Sequence, residues 1–167
     1  FTPMDFVDLK QDGQLGIFQN EDTLIVSIRG TQPDSLKDFW TDLRGLPAWR
    51  ALKKYGMLHR GFFRVATFIV PEVLPMIDRA RDQGKQIIAI GHSMGGGISL
   101  HLCLLIEFDL VVGFGIPPCM RLNRSTITSL PTLIRFENEY DPVARMHPFG
   151  LYRHYGQLVW WDQEGDA

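Results

Sequence analysis

Apolar and polar positions alternate along the 167 residues in runs that read as short strands and longer helices. Leu15 to Gln19 and Thr23 to Arg29 form two predicted strands around the polar turn Asn20-Glu21-Asp22. The stretch Thr23-Leu24-Ile25-Val26-Ser27-Ile28 is nearly continuously apolar and β-branched, which marks a buried strand, and Gly30 ends it. From Asp34 to Leu43, the residues Leu36, Phe39, Trp40 and Leu43 recur at helical spacing behind polar Asp34-Ser35. Gly45, Pro47 and Gly56 then break up a loop region. Phe62 to Gln83 has helical character, with Pro71 and Pro75 expected to kink or divide it. Gln86 to Ile90 is a second buried strand, and Ile98 to Ile106, apolar on nearly every side, fits a helix packed deep in the domain. Leu110 to Phe114 and Thr132 to Phe136 are further strands, with a weaker one at Gln157 to Trp161. Strands alternating with helices predict an α/β fold, with a mostly parallel central sheet and helices on both faces.

The length suits a single domain over residues 1–167, long enough to bury a core without staples. Hydrophobic residues make up 45% and charged residues 22%, so composition points to an ordinary soluble globular chain. A net charge of -2 argues against a nucleic-acid binder and against an anionic-membrane binder, both of which draw affinity from clustered Lys and Arg. No run of eighteen apolar residues occurs, so no spanning helix is expected. Cys103 lies in a very apolar stretch and reads as a small core residue; whether it pairs with Cys119 stays open, and with it the compartment. The first residue is Phe1 and not Met, which fits a processed or trimmed product.

The chemistry concentrates after the strand Gln86 to Ile90. There Gly91-His92-Ser93-Met94-Gly95 leads directly into a helix, the context in which G-x-S-x-G forms a nucleophile elbow. The turn is so tight that side chains at positions 91 and 95 would meet neighbouring backbone. The glycines remove that obstacle and leave the Ser93 hydroxyl available. The Met94 N–H, at the start of the helix, can face a developing oxyanion. The alternative is a glycine-rich turn with an incidental serine, to which Gly96 and Gly97 lend some weight.

With Ser93 in place, six segments resemble the class 3 lipases, in the order that family has them. These are Ser27-Ile28-Arg29-Gly30-Thr31, Asp38-Phe39-Trp40-Thr41-Asp42-Leu43, His59-Arg60-Gly61-Phe62, Gly91 to Gly96, Gly113-Phe114-Gly115-Ile116-Pro117 and Asn138-Glu139-Tyr140-Asp141-Pro142-Val143. The resemblance implies a compact α/β-hydrolase fold and hydrolysis of carboxylic esters, an acylglycerol or a phospholipid, through an acyl-enzyme on Ser93. It implies that Thr31 joins Met94 in the oxyanion hole. It also implies a lid-like segment near 34–56, whose Phe39 and Trp40 cover an acyl pocket and turn toward lipid at an interface. Packing of both aromatics on the core is the competing reading. The partners expected are a lipid or small ester and a transient lipid-interface contact, with no nucleic acid.

Asp141 follows a strand and precedes Pro142, so it falls in a loop past a strand's C-terminal end, where open α/β sheets place working residues. Its match to the family's Asp-Pro-Val segment makes it the favoured acid, against a plain Asp-Pro turn. The base should follow the acid, which leaves His147 and His154. His154 is chosen because its loop can fold back over the sheet edge. The larger fungal members carry their catalytic histidine much later and do not use the histidine of their Tyr-x-His segment. Either His154 serves or the base is missing. His92 reads as structural, His59 as part of a packing motif and His101 as a buried helix residue. The mechanism needs no metal or cofactor, and no metal-ligand spacing is visible. A catalytically silent lipase-like binding or signalling domain is the reading from a different class.

Overall fold

The computed structural model describes residues 1–9, 13–30, 53–145 and 151–162. Nine strands and three helices fall within them: β1 (Thr2–Leu9), β2 (Gly13–Gln19), β3 (Thr23–Ile28), β4 (Gly56–Leu58), α1 (Arg60–Asp82), β5 (Gln86–His92), α2 (Met94–Leu102), β6 (Leu110–Phe114), β7 (Met120–Leu122), α3 (Arg124–Thr128), β8 (Thr132–Asn138) and β9 (Gln157–Trp161). Seven strands make the central sheet in the order β1-β2-β3-β5-β6-β8-β9, while β4 and β7 pair as a small separate ribbon. The β1–β2 and β2–β3 pairings are antiparallel, and from β3 onward every pairing in this sheet is parallel. The mostly parallel sheet expected from the sequence is present. Among the described residues, the helices that pack on it cover one of its faces.

That face holds the core. Val26, Ala89, Ile69, Val73, Ile77 and Leu102 are all 0% exposed, and together they join β3, β5, α1 and α2 into one apolar cluster. α1 buries Phe62, Ala66, Ile69, Val73, Ile77 and Ala80, a spacing of three and four that lines one side of the helix. Its N-cap is His59, whose Nδ1 accepts from the Phe62 N–H at 3.3 Å. α2 is buried from Gly95 through Leu102, as befits a helix between the sheet and α1.

Several boundaries differ from expectation for physical reasons. Pro71 and Pro75 lie inside α1 without dividing it. Both stand on its exposed side, where the carbonyls of Thr67 and Pro71 that lose an N–H donor can turn to water. The apolar helix begins at Met94, directly at the elbow, and not at Ile98; after Leu102 the chain tightens, with the Leu105 and Ile106 N–H groups both donating to the Leu102 carbonyl. β1 was not foreseen, because Pro3 and two aspartates interrupt its apolar pattern; its place at the sheet edge tolerates the proline. The helix expected over Asp34 to Leu43 lies outside the described residues. No described helix is long and apolar enough to cross a membrane. Cys103 and Cys119 are free thiols. Burial raises both, Cys103 to about 12, which keeps them protonated and unreactive.

Candidate active site

Ser93 stands between the end of β5 and the first residue of α2, with φ 53° and ψ -120°. It is the one non-glycine residue with positive φ among those described. Such a conformation costs of the order of 1–3 kcal/mol and persists only where the surroundings enforce it. Here the enforcement is visible. The Ser93 N–H donates to the Phe114 carbonyl at the end of β6 (2.9 Å), and the Gly97 N–H donates back to the Ser93 carbonyl (3.1 Å). A Cβ on Gly91 would overlap the carbonyl of Gly95, and one on Gly95 would overlap the carbonyl of Ile28, so strand, elbow and helix touch through backbone. Gly96 and Gly97 are also contact positions, since a Cβ would come within 2.7 Å of Ile116 and 2.6 Å of the Phe62 ring respectively. They seat α2 and do not merely widen the turn.

Ser93 is 5% exposed, and although it is the N-cap of α2 its side chain makes no capping hydrogen bond. A serine at that position ordinarily spends its hydroxyl on a helix N–H. This one does not. Met94, the first residue of α2, sits where the helix's uncompensated N–H groups begin.

Asp141 lies just past β8, and its position is fixed from two sides. Its N–H donates to the Asn138 carbonyl (3.1 Å), and its Oδ1 accepts from the Val143 N–H (2.8 Å). The second bond makes an Asp-Pro turn, so the turn reading and the acid reading are compatible. Its Oδ2 reaches the backbone of Gly115, where a Cβ would overlap it. Gly115 has φ +53° and follows Phe114, the residue that holds the Ser93 N–H. Asp141 is therefore brought to the elbow through Gly115. The glycine was visible in the Gly113-Phe114-Gly115 segment, but nothing in the sequence said which carboxylate it would admit. His92 shares the spot: its Nε2 is 3.8 Å from the same Cβ position on Gly115, and its Nδ1 is 3.2 Å from that of Gly30. The imidazole is wedged between the strand end that leads to Thr31 and the loop that carries Asp141.

His154 is held elsewhere. Its Nε2 bonds the Ala144 carbonyl at 2.8 Å and stands 4.0 Å from Glu137 Oε1, which also pairs with Arg135. Arg135 is 8% exposed, and burial lowers its guanidinium pKa against the opposing pull of Glu137. Among the described residues no hydrogen bond joins His154 to Ser93 or Asp141. Thr31, Phe39, Trp40 and His147 lie outside the described residues. His59 and His101 are buried, at 2% and 0% exposure. His101 Nδ1 contacts the Gly97 carbonyl at 2.7 Å, while desolvation, joined by nearby His59 and opposed by that bond, lowers its pKa to about 3 and keeps the ring neutral. No group of three or more potential metal-ligating His, Cys, Asp or Glu side chains occurs among the described residues.

The family model for lipase (class 3) matches residues 25–150, which contain the elbow, the Gly115 contact and Asp141. The chain belongs to the class 3 lipases. Solved structures agree in fold. A fungal lipase–inhibitor complex superposes at a TM-score of 0.75 with 20% identity, over 95% of this chain and 66% of that one. The Rhizomucor miehei lipase–propeptide complex gives 0.76 and 20%, over 95% and 56%. A triacylglycerol lipase described as having a serine protease triad at its catalytic centre gives 0.77 and 20%, over 95% and 65%. This class 3 lipase chain thus spans less than two thirds of the length of these relatives. Among curated proteins no sequence matches it significantly.

Proposed function

We propose that this chain is a serine hydrolase unit acting on carboxylic esters, of acylglycerol or phospholipid type, through an acyl-enzyme on Ser93. The observation that carries the reading is the strained, buried serine at a strand–helix elbow whose hydroxyl is withheld from helix capping. In this reading residues 1–167 act as one domain. Ser93 Oγ attacks the ester carbonyl, the Met94 N–H and the Thr31 backbone and hydroxyl receive the oxyanion, and Asp141 orients and stabilises the imidazolium. Phe39 and Trp40, in a lid near 34–56, cover the acyl chain and contact lipid transiently. The base takes the Ser93 proton and returns it to the departing alcohol, after which water releases the acyl group by the same steps. His154 suits this role only if its bond to Ala144 opens. Its geometry better supports a tether, three residues beyond Asp141, for the loop that carries the acid. The base is then an imidazole outside the described residues, where His147 lies.

A second reading, a silent lipase-like binding domain, is favoured by one observation: no described imidazole bonds Ser93. Hydrolysis of a short and a long p-nitrophenyl ester separates the two. Turnover by the wild-type chain that falls about 10⁴-fold in Asp141→Asn and further in Ser93→Ala supports the hydrolase. A folded wild type inert on both esters supports the binding domain.

A further inference from the structure

Charge is unevenly distributed along the chain. Lys and Arg number 17 against 19 Asp and Glu, yet two long segments, residues 53–71 and 110–136, contain no Asp or Glu at all. The first carries Lys53, Lys54, Arg60 and Arg64, the second Arg121, Arg124 and Arg135. Arg135 is buried against Glu137, and the other six are exposed. The fold brings the two segments together. β4 pairs with β7, Met57 opposite Arg121. Asn123, the cap of α3, donates from Nδ2 to the Lys54 carbonyl and from its N–H to the Tyr55 carbonyl, both at 3.0 Å. Lys54 Nζ lies over the Tyr55 ring, 4.6 Å from its centroid, and Tyr55 in turn meets Phe63 of α1 at 6.2 Å. α1 opens on Arg60, and Arg60, Arg64 and Phe68 follow at four-residue spacing along its exposed side. One side of the molecule, from α3 across the ribbon to the first turns of α1, thus gathers six exposed cations. Two large apolar side chains stand among them, Phe68 at 58% and Ile127 at 43% exposure. The Arg64 guanidinium lies over the Phe68 ring, 5.7 Å from its centroid. The other end of α1 is different: Arg79 and Arg81 alternate there with Asp78 and Asp82, so charge cancels.

We propose that this side is a docking surface for a membrane that carries anionic phospholipids. The net charge of -2, which argued against such a partner, is a sum over the whole chain. A charged surface interacts over a Debye length of about 10 Å, so it meets the local cluster and not the sum. A cluster of this size is what anionic headgroups attract. The apolar members select lipid over the other polyanions. Neither offers a base a free stacking platform, since Arg64 lies over Phe68 and Ile127 has no π-face. An acidic polypeptide would satisfy the cations but leave Phe68 and Ile127 in water, whereas an acyl layer takes them up. Cationic heads beside apolar bodies are the pattern of the headgroup–acyl boundary. The surface differs in residues and in chemistry from a contact through Phe39 and Trp40, and it does not depend on turnover at Ser93.

The test is co-sedimentation of the full chain with vesicles of ether-linked lipids, which carry no ester to cleave, so that docking is read apart from hydrolysis. Binding to vesicles with about 30% phosphatidylglycerol should be about tenfold or more tighter than to pure phosphatidylcholine, and should weaken as salt is raised. Arg121→Gln and Arg124→Gln should each weaken it about fivefold, with far-UV circular dichroism unchanged. Arg79→Gln, which removes the same charge from the mixed end of α1, should leave it as it was. If Arg121→Gln fails to fold, Arg64→Gln on the exposed side of α1 serves in its place. Equal binding to the two kinds of vesicle overturns the proposal, as does an equal loss from Arg79→Gln and Arg121→Gln. Tighter binding to polyglutamate or to single-stranded DNA than to the anionic vesicles, lost in Arg121→Gln, also overturns it and gives the surface to an acidic polypeptide or to nucleic acid.

Discussion

The elbow around Ser93 and the loops that follow β8 differ in what fixes them. At the elbow, backbone meets backbone: Gly91 against Gly95, Gly95 against Ile28, and Ser93 bonded to Phe114 and Gly97. No side chain can relax such contacts, so a residue in an unfavourable conformation is retained. Past β8, the loops are held by single hydrogen bonds, of Asp141 to Asn138 and Val143, of Arg153 to Met120 and of His154 to Ala144. The position of Ser93 is thus dictated by sterics, while those of Asp141 and His154 depend on exchangeable hydrogen bonds. Strain is affordable in the first region, and adjustment is available in the second.

The largest expected effect tests the helix that seats the elbow. His101 is neutral and buried in α2 with its pKa lowered to about 3, whereas in the unfolded chain it titrates near 6.5. Between those values the unfolded chain takes up a proton that the folded chain refuses, so stability is full above pH 6.5 and falls as pH drops toward 3. The loss is roughly 4–5 kcal/mol across the window. Urea unfolding at pH 7 and pH 4.5 should show roughly 2–3 kcal/mol of this loss, and His101→Phe should flatten it. Next comes Gly95→Ala, which forces a Cβ onto the Ile28 carbonyl and within 2.8 Å of the Arg29 backbone. It should lower unfolding stability by about 3 kcal/mol or more, because backbone cannot step aside. A near-neutral result would show the elbow to be softer than its contacts imply.

His154→Ala probes the second region. As a tether it should lower kcat on a p-nitrophenyl ester about tenfold with an unchanged pH profile, and His154→Gln should restore part of it. A fall beyond about 10³-fold, with the alkaline plateau lost, would make His154 the base. The smallest effect on stability is that of Ser93→Gly. Removing the Cβ from a residue at φ 53° should raise thermal stability by about 1 kcal/mol while ending turnover.

This division also explains what could be read from the sequence. Strands β3, β5, β6 and β8, the elbow and the position of Asp141 past a strand end were legible, because apolar runs and glycine spacing record local sterics. The uninterrupted course of α1 was not, since whether a proline breaks a helix depends on which side of it meets water. β4, β7 and α3 are too short to impose a period. The admission of Asp141 to Gly115, and the turning of His154 toward Ala144, depend on contacts across more than twenty and on ten residues of chain, which no local pattern encodes.

Mass spectrometry of the folded chain after exposure to a fluorophosphonate probe tests the central claim most directly. A single phosphonyl adduct on the peptide that contains Ser93, absent from Ser93→Ala, is the result the account predicts. A folded protein without an adduct, or with one that persists in Ser93→Ala, would contradict it.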